Sequence, residues 1–504
     1  MSPFEDNLET LIRARYPLIY LKSFEEQRVR DSVIKIVNRL EKRLFEWTAI
    51  SGITVPSRPT SEPPKTLART KQPLEALNQV ADQVEPGVFV FYDFHHYLSS
   101  DNPLIIRKVK ELGHQFKSGY RTLIFVAPRL DLPVDLEKEM TVLECPLPDR
   151  RALTQLLNGI THQLENESQV DLCLTSDDRE QLVDASLGLT LSEAENVFAK
   201  IIVSTRQLSS AEIEMILEEK KQLVKKSGLL EFSSTQGDLS SVGGLSQLKA
   251  WLDKRSHAFH RKAAEFGLRP PRGVLLLGVQ GCGKSLCAKA IAKAWHLPLL
   301  RFDIGRLFNS YIGSSEANMR RAIELAESIS PAVLWIDEID KAFAGVAASA
   351  GSDSGTTARV MGTFLTWLAE KQSAVFVVAT ANDISPLPPE LLRKGRLDEI
   401  FFVDLPNEQE REEIIGIHLE QRGRNPADFS VPELAKEAEE FSGAEIEEAI
   451  NSALYDAYHS GSQLNDHLIS EAIRQTVPLA QTLDEKLKQL RSWARGRARR
   501  AGDP

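Results

Sequence analysis

The sequence predicts an α/β fold: two parallel-sheet domains in series, the second followed by an all-helical lid. Three observations predict it. Short, nearly unbroken apolar runs alternate with helical stretches in both halves, the pattern of strands buried on both faces and joined by crossover helices. A glycine-rich phosphate-loop signature stands between one such run and a helix. Residues 407–477 carry helical patterns only.

Composition bounds the reading. At ~150 residues per domain, 504 residues suggest three folding units. Hydrophobic residues make up 42%, enough for extended cores, and the net charge of -10 argues against wholesale nucleic-acid binding. The cysteines Cys145, Cys173, Cys282 and Cys287 have neither metal-type spacing nor the density of a disulfide scaffold, which fits a reducing compartment. No apolar run reaches the ~20 residues of a membrane span. The acidic start MSPFEDNLETL lacks a signal-peptide core. A cytoplasmic protein, or one of a cytosol-like compartment, is expected.

The elements follow in order. In residues 1–205, PLIYLKS (Pro17 to Ser23), VFVFYDF (Val88 to Phe94), TLIFVAP (Thr122 to Pro128) and TVLECPL (Thr141 to Leu147) are strand candidates rich in β-branched and aromatic residues. Residues 51–75 are rich in Pro, Ser and Thr and read as a loop. Residues 206–235 read as a charged connecting helix. Residues 236–405 form the second α/β domain. Residues 406–477 form the lid, with Asn407 as the N-cap of its first helix. Residues 478–504 read as a helix and an Arg-rich tail, expected to be solvated and disordered.

The chemistry concentrates in the second domain. Gly278-Val279-Gln280-Gly281-Cys282-Gly283-Lys284-Ser285 matches G-x-x-x-x-G-K-[ST], after the strand GVLLL and before a helix that opens at Leu286. Glycines free the backbone N–H groups to wrap phosphates, and the helix N-terminus favours their charge. Lys284 is expected to reach the β and γ phosphates, and Ser285 to hold Mg²⁺. The run AVLWIDEID ends in carboxylates. Asp337 would assist the metal, and Glu338 would polarise the attacking water. The run AVFVVATAND ends near Asn382, whose amide can position that water. In an open α/β sheet these strand ends converge where ligands bind. Residue chemistry alone therefore reaches Mg·ATP binding and hydrolysis.

The order GVLLLGVQGCGKS, NSYIGSSEANMRRA, AVLWIDEID, VVATANDISPLPPELLRKGRLDEIFFVDLP, REEIIGIHL and FSGAEIEEAI resembles the AAA ATPases over residues 238–477. The whole chain resembles the AAA family encoded as a hypothetical chloroplast reading frame in cyanobacteria and red-algal plastids. The resemblance implies a P-loop AAA+ domain with a helical lid. It implies that Arg393 and Arg396 are arginine fingers reaching a neighbouring subunit's γ-phosphate, hence a homo-hexamer. It implies that Val242, Gly243 and His418 lie beside adenine and ribose, and that Gly443 and Ala444 let the lid approach the nucleotide. Tyr311 and Ile312 stand where such proteins place a pore loop that grips polypeptide. Residues 345–357, small and polar, are expected to form a mobile second pore loop.

The first half resembles a worn copy of the second, a degenerate AAA-like α/β domain. FVFYDFHHYL parallels VLWIDEIDKAF, with Asp93 matched to Asp337 and Phe94 replacing the catalytic carboxylate. PLIYLKSFEEQ stands where a phosphate loop would, without glycine, so backbone N–H groups cannot cradle phosphate there. Cys282, at a helix N-terminus, is either a small residue that fits the loop or a redox-sensitive thiol. The implied work is remodelling of a protein client, in the cytoplasm or a plastid stroma. The alternatives are an activase dedicated to one photosynthetic enzyme, an ATP-assembled scaffold, and a nucleic-acid motor.

Overall fold

The computed structural model describes residues 2–503 except 57–64, 84, 165–173, 207, 210–211, 234–240, 260–262, 264, 309–313 and 349–353. The chain forms two compact units, Met1–Ile216 and Leu217–Pro504.

The first unit is built on one sheet of β1 (Leu18–Lys22), β2 (Arg43–Thr48), β3 (Gly52–Val55), β4 (Lys65–Thr66), β5 (Gly87–Tyr92), β6 (Arg121–Ala127) and β7 (Thr141–Glu144). Their order is β4-β3-β2-β5-β6-β1-β7. The strands from β2 to β7 in that order pair in parallel, while β3 and β4 add an antiparallel edge. That edge lies in the stretch read as a loop, where Pro and Ser outweigh the alternating Ile53 and Val55. Side-chain alternation sends Leu18 and Tyr20 into one core, and Ile19 and Leu21 into the other. Burial on both faces is why these strands read as continuous apolar runs.

The second unit repeats the plan with β8 (Leu230–Phe232), β9 (Gly273–Gly278), β10 (Leu299–Phe302), β11 (Ala332–Ile336), β12 (Val375–Ala381), β13 (Glu399–Val403) and β14 (Arg499–Arg500), in the order β14-β13-β9-β12-β11-β10-β8. Leu275 and Leu277 of β9 enter one core, and Val274 and Leu276 the other. Setting aside the two-residue edge strand β14, the parallel strands of each sheet, ranked along the chain, lie fifth-first-fourth-third-second: β7-β1-β6-β5-β2 and β13-β9-β12-β11-β10. The shared order supports the reading of the first half as a worn copy.

Three expectations are corrected. The connecting segment is more than a helix: after Ile213–Ser227 the chain turns into β8, which pairs antiparallel with β10. The Arg-rich end is not a free tail, because Arg499 and Arg500 pair in parallel with Phe401 and Phe402, and Arg491 binds Asp404 at 2.8 Å. Buried Ala501 donates its N–H to the carbonyl of Phe402 at 2.9 Å, so backbone pairing overrides the charge of the side chains. Residues 345–357 do not form a continuous loop, since helices Ile339–Ala348 and Ser354–Glu370 enter it from both sides. Alanine is the strongest helix former, and the run AFAGVAA carries four of them.

The lid comprises helices Glu408–Gln421, Val431–Glu437, Gly443–Ser460 and Asp466–Gln475 around Leu419, Leu434, Ile446, Ile450 and Ile469. Asn407 caps the first: its side chain accepts the Glu410 N–H at 2.9 Å, and Glu410 accepts the Asn407 N–H at 3.0 Å.

Candidate active site

β9 ends at Gly278, and the helix Lys284–Ala294 begins after Gly283, which caps it in the left-handed region. Lys284 is buried at 7% exposure, and its Nζ donates to the carbonyls of Gly278 at 2.9 Å and Val279 at 2.6 Å. Burial pushes its pKa down, and the neighbouring acids Asp340 and Asp337 act against that shift. A buried ammonium held by loop carbonyls, beside a helix N-terminus, is a fitting cradle for phosphate.

The acidic run lies alongside. Ser285 Oγ donates to Asp337 Oδ1 at 3.0 Å. These two hard oxygen donors suit Mg²⁺, which prefers one or two protein oxygens completed by phosphate and water. Glu338 is held at both oxygens: Oε1 accepts from Asn382 Nδ2 at 3.3 Å, and Oε2 pairs with Lys341 at 2.6 Å. Asp340, buried, accepts the N–H groups of Asn382 and Asp383 at 3.3 and 3.1 Å, which ties the first turn of the helix after β11 to the residues just past β12. Burial raises its pKa. A carboxylate next to an amide, beside a phosphate cradle, can orient and polarise a water for in-line attack.

A cleft of about 420 Å³ opens between the phosphate loop and the lid. Val242, Gly243, Gly281, Cys282, Gly283, Leu286, His418, Gly443 and Ala444 all line it. Close approach explains two of the glycines. A Cβ on Gly281 would lie 2.8 Å from Ser442 Oγ, and one on Gly243 would lie 2.6 Å from Ile414 Cγ1. The lid is bonded to the loop by the Ala444 N–H, which donates to the Gly281 carbonyl at 3.0 Å. On the first lid helix His418 is the residue that the family resemblance implies, and it does not line the cleft alone. Ile414, Ile417 and Gln421 line the cleft with it, and their i, i+3, i+4, i+7 spacing was the available signal.

Burial pushes the His418 pKa down, which favours the neutral imidazole. Burial also pushes the Cys282 thiol up to about 12. Desolvation there outweighs the nearby Lys284 charge, which favours the small-residue reading over a reactive thiolate. Arg393, exposed, and Arg396, half-buried, lie between β12 and β13 and do not line the cleft. Arg396 Nε meets no hydrogen-bond partner among the described residues. Tyr311 and Ile312 lie outside the described residues.

The corresponding edge of the first unit is built differently. The helix Glu26–Arg39 after β1 starts at Glu25, where the second unit has Gly283. The buried Glu25 carboxylate accepts the Leu191 N–H at 2.6 Å and binds Arg28 at 2.6 Å. The cap position thus carries an ion-paired side chain bonded to a neighbouring helix, where a phosphate cradle needs free backbone N–H groups. The acidic match also shifts by one residue. Asp93 follows β5 with φ 55°, as Glu338 follows β11 one residue later with φ 50°. Asp93 therefore corresponds to Glu338, and Tyr92 to Asp337. The Tyr92 hydroxyl donates to Glu46 at 3.0 Å.

Comparison with known proteins agrees with this geometry. Residues 274–405 match the family model "ATPase family associated with various cellular activities (AAA)". Residues 4–145 and 151–227 match the N-terminal and second domains of the SpoVK-like AAA ATPases. A protein of Guillardia theta described as "Uncharacterized AAA domain-containing protein ycf46" is 39% identical over 97% of this chain and 95% of its own length. Its namesake in Pyropia yezoensis is 39% identical over 99% of both. The cell division cycle protein 48 homolog of Archaeoglobus fulgidus is 29% identical over 65% of this chain and 46% of its own. With one intact phosphate loop, its acidic pair and near-complete coverage by such relatives, the chain is an ATP-hydrolysing enzyme that belongs to the AAA ATPases, in the family of the ycf46 AAA domain-containing proteins.

Proposed function

We propose that the chain is a homo-hexameric protein-remodelling motor driven by Mg·ATP hydrolysis in its second unit, working in the cytoplasm or plastid stroma of a photosynthetic organism. The observation that carries the hydrolytic part is the bonded array Ser285–Asp337 and Asn382–Glu338 beside the Lys284 cradle. Lys284 holds the phosphates. Ser285 and Asp337 hold Mg²⁺, which when bound neutralises phosphate charge. Glu338 takes up the proton of the attacking water, and Asn382 orients it. Val242, Gly243 and His418 flank the adenosine.

The motor part rests on the family. Arg393 and Arg396 face the neighbouring subunit's site and stabilise transition-state charge there. Arg393 is solvent-exposed and so is accessible for that contact, while Arg396 is half-buried, with an Nε that is buried and meets no partner among the described residues. Tyr311 and Ile312 grip an extended protein client as the lid moves. Nucleic acid is not the substrate, in keeping with the net charge of -10.

The test is Glu338→Gln in the full chain. Turnover is expected to fall by about 100-fold or more while ATP stays bound in a hexamer that retains client protein. Turnover equal to that of the parent would remove the mechanism. A single dominant retained client would favour the activase reading. A parent hexamer that binds ATP without turnover would favour the scaffold.

A further inference from the structure

The phosphate loop and acidic motifs account for Ser285, Asp337, Glu338 and Asn382, and leave Thr380 without a role. Thr380 lies in β12 among apolar neighbours and is 1% exposed. A hydroxyl in such a place is unfavourable unless paired, and here it is paired on both sides. Its Oγ1 donates to Asp337 Oδ1 at 2.6 Å and accepts the Glu338 N–H at 2.9 Å. Asp337 Oδ1 also receives the Ser285 hydroxyl. A continuous chain of hydrogen bonds thus runs from the Glu338 backbone through Thr380 and Asp337 to the first turn of the phosphate-loop helix.

We propose that Thr380 is a positioning residue for ATP hydrolysis, which rests on the roles given above to Asp337 and Glu338. One hydroxyl fixes two things. It orients the Asp337 carboxylate that shares a metal with Ser285. It also holds the backbone of Glu338, whose φ of 50° lies in the left-handed region that a residue with a Cβ leaves unless held there. Asn382 stands two residues further along, one residue past the end of β12. It reaches Glu338 Oε1 while Thr380 reaches the Glu338 N–H. One strand end therefore supports the base at its root and at its tip. A valine would fill the same volume and supply neither bond.

The experiment compares Thr380→Val, Thr380→Ala and Thr380→Ser in the full chain, with Glu338→Gln alongside. Three quantities are measured: steady-state hydrolysis against Mg²⁺ concentration, binding of a fluorescent non-hydrolysable ATP analogue, and Mn²⁺ affinity by electron paramagnetic resonance with that analogue present. In Thr380→Val and Thr380→Ala, kcat is expected to fall about tenfold or more and Mn²⁺ affinity to weaken about tenfold. Analogue affinity is expected to stay within about threefold, and Thr380→Ser to restore both losses. Thermal unfolding identifies a variant that does not fold, and Thr380→Ala then carries the comparison in place of Thr380→Val. Hydrolysis within about twofold of the parent in the folded hydroxyl-free variants overturns the proposal, as does a Thr380→Ser loss equal to that of Thr380→Val. If Glu338→Gln hydrolyses like the parent, the assignment of the base itself fails, a result distinct from any outcome at Thr380.

Discussion

Lys371 illustrates how one buried charge sets a pH dependence. It is 8% exposed, and its Nζ donates to the Val375 carbonyl. Burial pulls its pKa down to about 8, from 10.5 in the unfolded chain. Between those values the unfolded state binds more protons, so stability rises with pH. The full penalty stands below about pH 8 and is gone above about pH 10.5. Each tenfold loss of proton affinity on folding costs ~1.4 kcal/mol while the amine is charged. Lys371→Met is therefore expected to stabilise the second unit by ~1–3 kcal/mol at pH 7, with the gain shrinking as pH rises through that window. Urea unfolding at several pH values checks this, and a gain that does not vary with pH would contradict it. At this scale the sequence is legible where a motif dictates which residues meet, as where Ser285 reaches Asp337 and Asn382 reaches Glu338. Thr380 was not legible, because one threonine among valines and alanines gives no signal until the strand register brings its hydroxyl to Asp337.

Elements built from local patterns were equally readable. The buried strands, the helical lid and the Asn407 cap follow from period and capping chemistry. Elements that depend on distant partners were not. β14 is an arginine pair whose strand geometry comes from the edge of β13. β8 is a short segment whose partner β10 lies across the intervening phosphate loop. The Asp93 register needed a backbone angle. In the first unit, Glu25 replaces a capping glycine and bonds the first turn of the helix Leu191–Thr205 to the sheet edge. Its side chain is 5% exposed and that of Arg28 is 17% exposed. Glu25→Ala should destabilise the first unit by ~1–3 kcal/mol and speed amide exchange at Leu191. Unchanged exchange at that amide would mean the carboxylate holds nothing.

At the scale of the molecule, two sheets share one strand order and only one has the chemistry for a triphosphate. The second unit has Gly281 and Gly283 in the left-handed region, Lys284 and the Ser285–Asp337 pair. The first has a fixed carboxylate at Glu25 and a phenol at Tyr92 in the corresponding places. On the function proposed above, a repeated scaffold with one site for ATP follows from side chains at a few strand ends, since topology alone does not cradle phosphate. Nucleotide-binding stoichiometry in the full chain, measured together with turnover for the parent and Lys284→Ala, tests this most directly. One ATP per parent chain, with binding and hydrolysis both lost in Lys284→Ala, is the predicted result. Stoichiometric binding or sustained hydrolysis in Lys284→Ala would contradict it, because the triphosphate would then be held somewhere other than the loop after β9.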